Sequence, residues 1–412
     1  MRLDASYAAI LKVMILAALA SLGLIVLLVD RARHGRAADA ARLGPWRPIV
    51  RTAVKTALVL VLVESLVRGP FYERYVYVPY IRPYPVLAER SGGVHVETLV
   101  DALARRRPTL RIAFIGDSTM KALSSPEDVR VPAFIQSDLR TRFPGVDLEV
   151  VDASVIGLYA NDGALLVAKL TPHVDAIVYG LAMRAFPKER QQSWIRSFSA
   201  EMDAPAIARI VRAGGFGWLR GTVPGDDLAS GLVSTSWATY GYRVELWRAI
   251  VDPRTGLLRG LPLPHPQPTP ELSIVPHPLT DELEWAPAEY APPNHNWEAL
   301  DVLADLCGTF AAGHCLLYTV PVNPVGRDTL TDPALYRTFL ERVAVTAKGG
   351  RTTWLDLTDT MTAADFLPPN YAVHDRDPIH LTTGGLAKLG AILADPVARL
   401  AADVLAARRG AG

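Results

Sequence analysis

The sequence predicts an α/β domain, a parallel sheet covered by helices, behind a hydrophobic N-terminal region. Apolar runs at 110–115, 148–151, 174–179, 315–320 and 352–357 have the length of buried strands. Amphipathic stretches at 131–143 and 158–170 lie between the early runs, and this alternation marks a parallel sheet with helical crossovers. At 412 residues, half of them hydrophobic, the chain holds one sizeable domain plus additional segments. Its 43 basic and 42 acidic residues nearly cancel. That balance excludes the strongly basic stripe a nucleic-acid binder needs.

Taken from the N-terminus, residues 13–29 are uninterruptedly apolar and continue upstream through 7–11 across Lys12, whose stem can snorkel. A helix over 7–29 is long enough for a bilayer, which takes roughly 20 residues. A cleaved signal peptide is the competing reading, but such apolar regions run about 7–15 residues, so a retained helix is expected. A second segment, 49–67, has the apolar core 56–63 but is broken by Lys55 and Glu64, which makes it the weaker span. Arg31, Arg33, Arg36, Arg42, Arg47 and Arg51 lie between, a pattern of the cytoplasmic side.

If both segments cross, everything after about Gly69 lies outside the cytoplasmic membrane. Phe71, Tyr72, Tyr75, Tyr77, Tyr80 and Tyr84 then read as an interfacial aromatic belt, or else as an apolar edge of the following domain. Glu64 within a span is a functional candidate, since a carboxylate in lipid needs a partner. The organisation expected is a membrane anchor over 1–70, a juxtamembrane connector over 71–109, a catalytic domain over 110–400 and a tail over 401–412.

Residues 187–293 break the α/β rhythm with a helix-like first half and a proline-rich run at 261–270. Proline continues neither a helix nor a central strand, so this is an insertion over the sheet's carboxyl edge. It serves as a substrate cap, a docking surface or a solvated loop. The two cysteines, Cys307 and Cys315, flank a helix end, a turn and a strand start. They can bridge or stay free, and buried thiols are the expected state. Two thiols make no zinc site alone.

Chemistry concentrates at two places. Gly116-Asp117-Ser118 follows the first strand, which puts Ser118 at a strand's carboxyl end, where open α/β sheets hold their sites. Asp377-Pro378-Ile379-His380 precedes a helix-like stretch at 386–400. A serine hydroxyl needs a histidine to accept its proton, and that histidine needs a carboxylate to fix its tautomer. The spacing lets Asp377 hold one ring nitrogen of His380 while the other faces Ser118. Gly-Asp-Ser turns also occur simply as helix caps; the strand in front distinguishes this one.

This order of motifs resembles the SGNH, or GDSL-type, hydrolase superfamily over roughly residues 111–400. The resemblance implies a flavodoxin-like three-layer α/β/α fold, with Ser118 as nucleophile, His380 as general base and Asp377 as its orienter. Gly157, in Val151-Asp152-Ala153-Ser154-Val155-Ile156-Gly157, matches the second-block glycine, whose N–H joins that of Ser118 in the oxyanion hole. The third block departs from the pattern. Gly180-Leu181-Ala182-Met183-Arg184 lacks the usual asparagine, and losing one oxyanion donor costs roughly 3 kcal/mol. Either another donor such as Arg184 replaces it, or the chain belongs to a divergent branch.

The C-terminal third is similar to the DltD-like branch. It runs from Leu316-Leu317-Tyr318-Thr319-Val320-Pro321-Val322-Asn323-Pro324 through a helix containing Tyr336 and Trp354-Leu355-Asp356-Leu357 to Asp377-Pro378-Ile379-His380. That resemblance implies a cytoplasmic-membrane protein whose catalytic domain faces outward beside a membrane-bound O-acyltransferase. It would be a serine esterase or O-acyltransferase acting on cell-envelope polymer esters without a cofactor. A non-catalytic binding or scaffolding subunit of such a complex is the alternative.

His374, Asp375, Asp377 and His380 suffice on paper for a metal, but that reading leaves Gly116-Asp117-Ser118 unexplained, so no metal is expected. Asp117 has an ordinary role, bonding nearby backbone in its turn. His173, His295 and His314 fall near element ends and are not nominated. Asn294 and Asn296 read as caps of the helix over 297–310.

Overall fold

In the computed structural model the five apolar runs form one parallel sheet. The structure describes residues 47–69, 89–90, 93–94, 96–121, 130–187, 202–223, 290–291, 294–310, 314–325, 332–349, 352–367 and 379–411, with isolated positions at 225 and 233. The chain divides into two units, Met1–Arg74 with Trp237–Arg243, and the rest.

The first unit contributes helix α1, Arg47–Leu66. Among the described residues no helix is long and apolar enough to cross a membrane. In α1 the reason is visible: Arg51, Lys55 and Glu64 leave only 56–63 uninterrupted. Such a stretch spans roughly 12 Å against a hydrocarbon core of about 30 Å. Glu64 finds its partner within the same unit, where Arg68 Nε donates to its Oε1 at 2.8 Å. The expected span over 7–29 lies outside the described residues.

The sheet of the second unit is built from β1 (Leu110–Ile115), β2 (Leu148–Asp152), β3 (Ala176–Leu181), β4 (Cys315–Thr319) and β5 (Thr352–Asp356). Their spatial order is β2-β1-β3-β4-β5, all parallel. This is the flavodoxin-like doubly wound order. Its helices are α2 (Val96–Arg105), the single turn α3 (Ser118–Lys121), α4 (Val131–Arg142), α5 (Ala160–Leu170), α6 (Ala204–Arg212), α7 (Phe216–Thr222), α8 (His295–Gly308), α9 (Pro333–Gly349) and α10 (Thr383–Ala411).

The pleat sorts the core into two layers. Leu110, Ile112 and Phe114 of β1 join α4 and α10 on one face, while Ala113 and Ile115 join α2, α5, α8 and α9 on the other. Because both faces are covered, β1 reads as a nearly continuous apolar run. Its one charge, Arg111, is buried and fully engaged: it donates to Glu149 Oε2 at 2.6 Å and to the carbonyls of Leu103 and His173, each at 2.9 Å. A buried cation is tolerable only with such partners.

Two boundaries differ from the sequence reading, and helices are present in the first half of the insertion as expected. Leu99 and Leu103 of α2 are buried in the core, so part of the 71–109 connector belongs to the domain. Helix α10 runs on through 401–411 past Pro396, because Val397, Leu400, Ala401 and Val404 continue its apolar stripe over the sheet. The start of the insertion forms α6 and α7, packed on α5 and α8; the proline-rich run at 261–270 lies outside the described residues. Asn294 caps α8 by accepting from the Asn296 N–H at 2.9 Å. Asn296 itself donates to Pro187 O at 2.8 Å, pinning the insertion's first residues to the domain.

Cys307 and Cys315 form a disulfide, contrary to the expected buried thiols. The reason is positional. The end of α8 and the first residue of β4 bring their Cα atoms to 5.7 Å, inside the range a disulfide spans.

Candidate active site

The sheet order reverses at β1, since β2 lies on one side of it and β3 on the other. Open α/β sheets bind ligands at the carboxyl end of that switch point. Gly116-Asp117-Ser118 occupies it. A Cβ on Gly116 would stand 2.5 Å from the Met120 Sδ, so the Met120 side chain packs directly against the backbone of this turn. Asp117 accepts from the Thr119 N–H at 2.9 Å, and its carbonyl accepts from Met120 N at 3.2 Å. Ser118 opens α3, so its N–H is one of the donors a helix start leaves without an intrahelical acceptor.

His380 arrives from the other end of the chain. Its Nε2 lies 2.8 Å from the Ser118 Oγ. The strand-like segment around it is held on both sides. Leu367 N donates to His380 O at 2.9 Å, Thr382 N donates to Asp365 O at 2.8 Å, and Phe366 pairs with Leu381 in an antiparallel bridge. Ile379 and Leu381 are both buried, which fixes the residue between them. Asp377, the expected orienter, lies outside the described residues, as do His374 and Asp375 of the alternative metal cluster. Among the described residues no group of three or more His, Cys, Asp or Glu side chains is placed to hold a metal.

Gly157 sits in the turn after β2 with φ +70°, a conformation that favours glycine. The loop before it is laced to the nucleophile turn by Ala153 N to Phe114 O at 2.8 Å and Val155 N to Gly116 O at 2.9 Å. Arg184 follows β3 in a short 3₁₀ turn, Met183–Ala185. Its Nη2 donates to the Ser118 Oγ at 2.5 Å, and both Nε and Nη2 stand 3.0 Å from the Asp117 Oδ2. Ser118, His380 and Arg184 are therefore brought together.

The electrostatics centre on Asp117. Burial alone would raise its pKa, but the Arg184 guanidinium, the hydrogen bonds from Thr119 and the His380 ring outweigh it and hold the carboxyl below its ordinary value. Tyr318 lies under the same floor. It is fully buried, its hydroxyl has no hydrogen-bond partner among the described residues, and burial followed by the Asp117 charge pushes its pKa well up. Gly180 makes room for it, since a Cβ there would meet the Tyr318 Oη at 2.7 Å.

The pairing of Asp117 with Arg184 was missed from the sequence. The available signal was the place of Arg184 just past a strand's carboxyl end, on the strand beside the nucleophile's.

No family model and no curated protein matches the sequence. Among solved structures the chain is similar to TesA at 14% identity and TM-score 0.34, over 70% of this chain and 99% of that one. It is similar to a lipase/acylhydrolase from Enterococcus faecalis at 11% identity and TM-score 0.34, over 70% of this chain and 96% of that one. A carbohydrate acetylesterase family member from Sinorhizobium meliloti gives 11% identity and TM-score 0.31, over 71% of this chain and 100% of that one. Likeness at this level carries no functional assignment.

Proposed function

We propose that the chain is an SGNH-type serine hydrolase acting on ester bonds, with Ser118 as nucleophile and His380 as general base. The observation that carries this is the 2.8 Å approach of His380 Nε2 to Ser118 Oγ at the sheet's switch point, between residues 262 positions apart in sequence. In the reaction the Ser118 Oγ–H proton passes to His380 Nε2 as Oγ bonds to the ester carbonyl carbon. The tetrahedral adduct then collapses, the alcohol leaves with the proton from His380, and an acyl-serine remains. Water, or a second hydroxyl activated by the same histidine, takes the acyl group and restores the serine. Asp377 holds the His380 Nδ1–H in this reading, and the N–H groups of Ser118 and Gly157 receive the carbonyl oxygen.

The finer reading is a DltD-like esterase or O-acyltransferase anchored to the cytoplasmic membrane through residues 7–29, with its domain on the outer face. Since α1 is too short to return the chain across the bilayer, the outward placement rests on the disulfide and not on the arginine pattern. It would act on envelope polymer esters beside a membrane-bound O-acyltransferase. Two features support it. The apolar residues 7–29 have the length of a membrane span. The disulfide suits an oxidising compartment rather than the cytosol.

The test is hydrolysis of p-nitrophenyl acetate by the purified full chain, beside its Ser118→Ala and His380→Ala variants. Turnover that falls by a factor of 1,000 or more in both variants supports the reading. A folded wild type without turnover contradicts it and favours the scaffolding subunit instead.

A further inference from the structure

Two side chains, Arg184 and His380, meet at the Ser118 Oγ, and their donor and acceptor capacities restrict how they do so. A guanidinium has only donors, so where Arg184 Nη2 reaches Oγ, at 2.5 Å, the hydroxyl accepts. That occupies an Oγ lone pair on the Arg184 side. The Oγ–H proton and the second Oγ lone pair stay available to His380 Nε2 at 2.8 Å, which accepts that proton in the Nδ1–H tautomer. Arg184 thus leaves the Oγ–H free to point at His380, the direction that proton transfer requires.

The same guanidinium is not free to wander. Both its Nε and its Nη2 face one carboxylate oxygen of Asp117 at 3.0 Å, and Asp117 is in turn locked by the Thr119 N–H. The carboxylate side chain is 5% exposed and the guanidinium 28%, so the pair is anchored at the floor and open at the reactive end. This arm comes from the turn after β3, where the asparagine donor is missing.

Resting on the serine-hydrolase reading, we propose that Arg184 is a catalytic residue that stabilises the oxyanion, with Asp117 as the residue that positions it. Oγ bonds to the carbonyl carbon through its second lone pair while its proton passes to His380 Nε2, so the guanidinium stays beside the reacting carbon. The guanidinium N–H is then directed at the adjacent carbonyl oxygen as negative charge builds there. No proton leaves Arg184 at any step, because an arginine stays charged in a protein. A charged donor held before the reaction begins is worth most in a site sheltered from water.

The test uses p-nitrophenyl acetate turnover by the full chain. Arg184→Ala should lower kcat roughly 100-fold or more with KM little changed. Added guanidinium ion at low millimolar concentration should restore part of that rate, and should do nothing for wild type or Ser118→Ala. Arg184→Lys should recover less than the added ion does, since a point-like ammonium cannot span the carboxylate and Oγ together.

Because Arg184→Ala leaves Asp117 buried without its counter-charge, the double variant Asp117→Asn/Arg184→Ala keeps the measurement interpretable if the single one misfolds. Asp117→Asn alone should also slow kcat, and the double variant should be no slower than Arg184→Ala, since a positioning residue has nothing left to position. Wild-type kcat in Arg184→Ala, or strictly additive losses, overturns the inference while Ser118-dependent turnover stands. No turnover in wild type removes the hydrolase reading and this inference with it.

Discussion

Reducing the Cys307–Cys315 bond should measurably loosen the domain, and its size follows from the chain. The bridge closes a loop of sequence separation 8 between the end of α8 and the start of β4. The entropy removed from the unfolded chain is about 2.1 + 1.5R ln n cal/mol/K, which for n of about 8 gives roughly 2.5 kcal/mol at 25 °C. An unfolding entropy of roughly 2 cal/mol/K per residue over roughly 300 residues converts that into a melting temperature lower by about 4 °C. Calorimetry of the purified chain with and without reductant measures it, with Cys307→Ala/Cys315→Ala as the control that reductant should leave unchanged. Both sulfurs are fully buried, so reduction should need partial unfolding and proceed slowly. Equal melting temperatures for oxidised and reduced protein would show that the bridge does not stabilise the domain, and two alkylatable thiols in the unreduced, denatured chain would show that it does not form.

Acidification should weaken the fold through two histidines. Burial, then the charges of Arg111, Arg209 and Lys169, depress the pKa of His173; burial depresses that of His314 against the opposing Asp403 and Asp175. The unfolded chain therefore binds more protons below about pH 6.5, so this contribution is complete above that pH and is lost as pH falls through the folded-state values. Urea midpoints between pH 8 and 5 should decline, less steeply in His173→Gln; a rise on acidification would contradict the assignment. Gly385→Ala should damage activity at a distance, because its Cβ would stand 2.2 Å from Asp365 O, the carbonyl that anchors Thr382 next to His380. A stability loss of roughly 1–3 kcal/mol with a larger fall in kcat is expected, and unchanged kcat would mean that this loop does not set the histidine. Gly163→Ala meets the Tyr179 Oη at 1.9 Å on the sheet's other face. It should lower the melting temperature and leave kcat of the remaining folded enzyme close to wild type, and a selective loss of kcat would count against that separation.

Much of this was readable because local pattern and tertiary demand agree. The β1 run 110–115 is apolar at almost every position since both faces are covered, so its strand and the turn after it were legible together. Ser118 and His380 were found because nucleophile and base require those residue types. The boundaries of α10 were not, since whether a helix survives Pro396 depends on what Val397 and Ala401 pack against. The disulfide was misjudged for a similar reason: eight residues of separation say nothing about a 5.7 Å approach until a helix and a strand are laid side by side. In the sequence Arg184 shows itself only as a residue close to the place of the missing asparagine. Its grip on Asp117 is a contact between residues 67 apart, set by the pairing of β1 with β3.

All the proposed chemistry depends on Ser118 being an activated nucleophile. Reacting the full chain with a fluorophosphonate and locating the adduct by peptide mass spectrometry tests this most directly. A single phosphonylated residue, Ser118, is expected, with labelling lost in His380→Ala although the serine remains. A folded wild type that takes up no probe, or one labelled equally well without His380, would contradict it.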